Sequence, residues 1–222
     1  MTLTAPGPLD EPMSGGPGFR ANPAAQIERF HHPATRILLA SEGLTTTALE
    51  HLVGCGLNVR VSTQDEIPAA ALPAFVATAL RLRTTDRVVI RHSRLVTPER
   101  TISINYVAAP AQSTDANGLA DLDTPIGHGL IARGLTQRRR IMWAGTRTWP
   151  DGRPCAARAY VMSLGGRPVS WIREAFDPDV IRAEHTAATT PEPELHDEPG
   201  PPWPGPPGDP TTTSAETRSA PA

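Results

Sequence analysis

A chain of 222 residues with a formal net charge of −2 and 25 prolines is long enough for one sound hydrophobic core. Its one basic cluster, Arg138-Arg139-Arg140, is too short to argue for nucleic acid, and no run of about 18 apolar residues exists to span a membrane. Cys55 and Cys155 stand apart from each other and from any His at ligand spacing, which points to neither zinc nor a disulfide framework and fits a reducing cytosol.

Residues 1–25 hold five prolines among glycines and are expected to form a disordered tail. They lack a basic stretch followed by an apolar one, so no secretory leader is expected and a cytoplasmic location is. The folded domain is expected over residues 26–182. Within it His31-His32 precede a proline and read as surface. The run Thr45-Thr46-Thr47, followed by Ala48, Leu49, Leu52 and Val53, predicts a helix ending at Gly54, with Thr45 or Thr46 accepting its first amides.

Leu57 to Thr63 alternates as a strand, and residues 68–82 read as a short helix or a covering loop. A hairpin follows over 87–108, turning at Thr97-Pro98-Glu99-Arg100. Thr124 to Gly134 reads as a helix with Thr124 as N-cap, Pro125 at its first position and Gly134 past its end. Three more strands are expected at 138–148, 156–164 and 168–176, the last two joined at Gly165-Gly166. Residues 183–222 carry ten prolines among Thr, Glu and Gly and are expected to be a second disordered tail. The pattern predicts an α+β fold: a mostly antiparallel β-sheet with a few helices packed on it.

Two charged residues break the strand pattern. Glu174 shares a face with Ile172 and Phe176, where a carboxylate is costly to bury unless it has a partner or a task. The alternative is an edge-strand Glu that reaches water. Arg91 shares a face with Val89, Ser93 and Leu95, and Arg94 with Ile90 and His92; both faces are mixed, so alternation does not decide which Arg points inward. An inward Arg would offer a planar fork of donors to a carboxylate ligand. No Gly-rich phosphate loop, nucleophile elbow or carboxylate cluster is present, so no cofactor and no metal is expected.

Four stretches in order, Leu38 to Thr46, Val89 to Leu95, Thr124-Pro125-Ile126-Gly127, and Gly166-Arg167-Pro168 on to Phe176, resemble the chorismate lyase family over roughly residues 36–178. The Gly-Gly-Arg-Pro turn and the Ile-Arg-Glu ending resemble its actinobacterial branch. The resemblance implies a carbon–oxygen lyase that eliminates pyruvate from chorismate to give 4-hydroxybenzoate. It implies Arg91 on the ring carboxylate, Glu174 as acid/base near the ring hydroxyl, and Leu44, Ile126 and Gly127 enclosing the ring. Aromatisation supplies the driving force, and two carboxylates need fixed cations. Arg158, in phase with Tyr160 and Met162, is the candidate for the enolpyruvyl carboxylate, with a rim Arg as the alternative. Chorismate, 4-hydroxybenzoate and pyruvate are thus the expected small-molecule partners, with no nucleic acid, no membrane, and a monomer or weak oligomer.

The same fold resembles the effector-binding (UTRA) domains of bacterial transcription regulators, which bind small ligands without turning them over. Such domains normally follow a helix-turn-helix reader. The first 35 residues are too Pro-rich and too short to supply one, which favours the enzyme.

Overall fold

A computed structural model describes residues 22–113 and 118–186. Six strands organise it: β1 (Asn58–Pro68), β2 (Arg87–Val96), β3 (Thr101–Pro110), β4 (Gln137–Thr148), β5 (Pro154–Leu164) and β6 (Arg167–Phe176). They form one sheet in the order β1-β2-β3-β6-β5-β4, antiparallel throughout. The α+β expectation therefore holds, and the strand readings hold to within a few residues, β1 running past Thr63 to Pro68. The greater parts of both expected tails lie outside the described residues.

Tight turns explain most of this order. Thr97–Arg100 closes β2 onto β3, and Gly165-Gly166, both at positive φ, close β5 onto β6. One connection cannot be tight. β3 and β4 are separated by β6 and β5, so the chain between them must cross three strand spacings, roughly 14 Å at about 4.8 Å each. That crossing segment carries helix α5 (Ile126–Ala132) and brings its first residues over the sheet.

The other helices are α1 (Pro23–Glu28), α2 (Pro33–Ala40), α3 (Thr45–Val53) and α4 (Ala74–Ala79). On one side of the sheet, Ile27, Phe30, Leu38, Leu39 and Leu49 pack with Ile102, Phe176 and Ile181. α4 covers the other side, where Val76 and Leu80 meet Ile90, Tyr106 and Trp171. Packing continues to the last described residues: Phe30 bridges to His185, and the Ala144 amide donates to Gln26.

Two cap readings are corrected. Leu44 and Pro125 occupy the N-cap positions of α3 and α5, and neither makes a side-chain cap bond. Thr45 lies one residue inside α3 and its hydroxyl is taken by distant charged partners, which outweigh a local amide. Gly54 does end α3 in the left-handed region, at φ 73°.

The two cysteines differ in a way that a reagent can read. Cys155 is fully buried and burial pushes its thiol up to about 12, whereas Cys55 is exposed. The native protein is expected to give one thiol with 5,5′-dithiobis(2-nitrobenzoate), and both only after unfolding.

Candidate functional site

On the α3 side of the sheet, residues of all six strands face a cavity of about 60 Å³, β1 contributing Val59. β2 supplies Arg91, Ser93 and Leu95; β3 supplies Asn105 and Val107; β6 supplies Ile172 and Glu174; β5 supplies Tyr160 and Met162; β4 supplies Arg139. Thr45 and Thr46 of α3, and Pro125, Ile126 and Gly127 at the start of α5, close it from above. Residues 129 positions apart in the chain thus meet because β6 sits at the centre of the sheet.

Glu174 is 6% exposed and fully engaged. Its Oε2 accepts from Arg158 Nε at 2.9 Å and from the Thr45 hydroxyl at 3.2 Å, and its Oε1 accepts from the Tyr160 hydroxyl at 3.0 Å. Burial, reinforced by the nearby Glu174 carboxylate and opposed by Arg139 and Arg158, raises the Tyr160 pKa, so its phenol is a donor.

Arg158 lies beneath Glu174 rather than in the cavity wall. It is 0% exposed, and Nη1 donates to the carbonyls of Leu38 (2.6 Å), Leu39 (3.3 Å) and Ser41 (2.9 Å). These carbonyls lie at the C-terminal end of α2, where the helix favours a cation; that of Leu38 also accepts from the Ser41 amide at 3.2 Å. Nη2 donates to Thr45 at 2.7 Å. Arg158 therefore caps α2 and neutralises Glu174, and no arm of its guanidinium is left for a ligand.

Arg139 is the cation that inspection of the sequence passed over. Alternation along β4 turns Arg138 and Arg140 outward and Arg139 inward, where it is 5% exposed. Nη1 donates to Thr45 at 2.7 Å, and the guanidinium carbon lies 5.0 Å from the centre of the Tyr160 ring. Its Nε is buried without a hydrogen-bond partner among the described residues. A buried guanidinium donor without an acceptor, on a side chain that lines a cavity, is an unmet hydrogen-bonding capacity at the site.

Arg91 is 1% exposed and reaches the cavity from β2. Its Nε donates to Gln64 at 2.6 Å, and its Nη2 to the backbone carbonyls of Leu119 and, at 3.1 Å, Asp121. The structure thus brings Arg91, Glu174, Ile126 and Gly127 around one cavity. Leu44 packs behind the Gly127 wall instead of lining it.

Gly127 allows close approach. A Cβ there would stand 2.7 Å from Leu44 Cδ2 and 3.3 Å from both Arg139 Nη2 and Gln137 Nε2. The Leu44 methyl is the far end of a flexible side chain and can yield. In Gly127→Ala the helix preference for Ala, about 1 kcal/mol, should offset the crowding and leave the melting temperature nearly unchanged.

Among the described residues, no group of three or more His, Cys, Asp or Glu could hold a metal ion. No helix among them is long and apolar enough to cross a membrane.

No protein-family model matches this chain, and no curated protein is similar to it. Solved structures are. The effector domain of PhnF from Mycobacterium smegmatis is 16% identical, with a TM-score of 0.50 over 63% of this chain and 91% of that one. The fuller PhnF structure from the same organism is 15% identical, with a TM-score of 0.50 over 64% of this chain and 67% of that one. The C-terminal domain of the histidine utilization repressor from Pseudomonas syringae pv. tomato is 18% identical, with a TM-score of 0.45 over 58% and 96%.

The expectation of a carbon–oxygen lyase is corrected here: the solved structure that shares the fold at a TM-score of 0.50 is an effector domain, that of PhnF. In the site, Glu174 is held by three donors, one of them Arg158.

Proposed function

We propose that this domain is a non-catalytic receptor for a small anion, an effector-binding domain of UTRA type. The observation that carries the reading is Arg139 Nε, a buried charged donor at the cavity with no partner among the described residues. The cavity's formal charges leave room for an anion: Arg91 and Arg139 line it with Glu174, and Glu174 is already paired with Arg158 behind the wall. Apolar side chains of Leu95, Val107, Ile126, Met162 and Ile172 complete the walls, giving the mix of a greasy pocket and a few fixed polar groups that small-ligand sites use. Glu174 is held in place by Arg158, Thr45 and Tyr160, which suits a fixed wall of a binding site.

In this reading Arg91 and Arg139 contact the ligand, Ile126 and Gly127 close over it, and Leu44 and Arg158 with Glu174 support the walls. 4-Hydroxybenzoate, with one carboxylate and a flat ring, is a candidate ligand rather than a product. A receptor needs something to report to. By analogy with the PhnF effector domain, that partner is a DNA-binding unit; the domain of residues 26–182 itself does the sensing.

The test is calorimetric titration of the whole chain with inorganic phosphate, benzoate and 4-hydroxybenzoate, followed by magnetic resonance of the recovered ligand. At least one anion should bind with one-to-one stoichiometry and be recovered unaltered. Absence of heat with all of them, or a chemically altered ligand, would overturn the reading.

A further inference from the structure

We infer that Arg91 is a latch on the roof of the cavity, and that an anion entering the cavity opens it. The inference rests on the anion-receptor reading above and adds how occupancy becomes a change of shape.

The latch is a short chain of bonds. Arg91 Nη2 holds the backbone carbonyls of Leu119 and Asp121. The Asp121 carboxylate in turn accepts from the amides of Asp123 (2.9 Å) and Thr124 (3.0 Å). Those residues lead directly into Pro125, Ile126 and Gly127, which form the cavity roof. Gln64 on β1 fixes the guanidinium through Nε at 2.6 Å and adds its own bond to the Leu119 carbonyl at 3.3 Å. This arginine arm and its bracket are the polar tie between roof and sheet, beside the apolar packing of Leu119 and Leu130 against the strands and the contact of His128 with Thr47 at 3.1 Å.

The other arm, Nη1, has no partner among the described residues and belongs to a side chain that lines the cavity. Carboxylates and phosphates bind a guanidinium best through two parallel N–H bonds. A ligand gripping Nη1 and Nη2 together must take Nη2 from Leu119 and Asp121. An anion adds to the hydrogen bond an attraction between opposite charges that a neutral carbonyl lacks, so the exchange favours the ligand. Size presses the same way. A cavity of about 60 Å³ holds only a few waters, at roughly 10–15 Å³ each by the same measure. Any ring-sized ligand therefore lifts the roof as it enters.

Hydrogen–deuterium exchange on the full chain tests this, with inorganic phosphate and benzoate as probes and calorimetry as the check on binding. Amides in residues 118–134 should exchange about tenfold faster when a probe is bound, the effect of losing roughly one charge-assisted hydrogen bond. In the free protein, Arg91→Lys and Gln64→Ala should raise exchange in the same segment. Gln64 is exposed on an edge strand, so that variant keeps its core intact. Confirmed binding with exchange in 118–134 slowed or unchanged overturns the latch while sparing the receptor reading. So does unchanged exchange in both variants. Absence of binding by inorganic phosphate, benzoate and 4-hydroxybenzoate alike removes the receptor reading and the latch with it.

Discussion

Glu174→Ala is expected to destabilise the domain by about 3–5 kcal/mol, the usual cost of stripping one partner from a buried ion pair. Arg158 is 0% exposed and Glu174 is its anionic partner at 2.9 Å. Removing the carboxylate leaves a buried guanidinium facing only neutral acceptors, and leaves the Tyr160 hydroxyl and one Thr45 contact unsatisfied. Glu174→Gln should lose less, because its amide oxygen still accepts from Tyr160. Replacing both charges, as in Arg158→Met with Glu174→Leu, should recover part of the loss but not all, since the carbonyls at the end of α2 then lose their cap. Urea unfolding of the four proteins measures this. A loss below about 1 kcal/mol for Glu174→Ala would mean that the pair behaves as a solvated surface bridge.

Arg139→Gln is expected to show the opposite signature. Anion affinity should fall about 10- to 100-fold, the value of a charge-assisted hydrogen bond in a dry site, with stability changed by no more than about 1 kcal/mol. The side chain gives up its bond to Thr45 and its place over Tyr160, but the variant also removes a buried donor that has no partner. Calorimetric titration beside urea unfolding separates the two readouts. A large loss of stability with unchanged affinity would make Arg139 a structural residue like Arg158.

The strands and their faces were legible because alternation is local. Glu174 with Ile172 and Phe176, and Arg158 with Tyr160 and Met162, follow from a period of two. Alternation sets Arg139 on the face opposite to Arg138 and Arg140 but does not say which face is inward, and a triplet of arginines draws the eye as a charge cluster. What Arg158 does was not legible. Its acceptors lie 117–120 residues away at the end of a helix, and no local pattern announces that a strand residue caps it. The threonine caps failed for a related reason: Thr45 looks like a local N-cap, yet two buried arginines and a carboxylate compete for its hydroxyl. The lyase expectation came from residue types in family order, which specify a pocket shape. The bonds that engage Glu174 on both oxygens are a property of the packed site.

Incubating the pure protein with chorismate and following pyruvate is the most direct measurement. The receptor account predicts that no pyruvate appears above the spontaneous rate, and that Glu174→Gln changes nothing. Pyruvate released in proportion to protein, and abolished by Glu174→Gln in a folded variant, would contradict it.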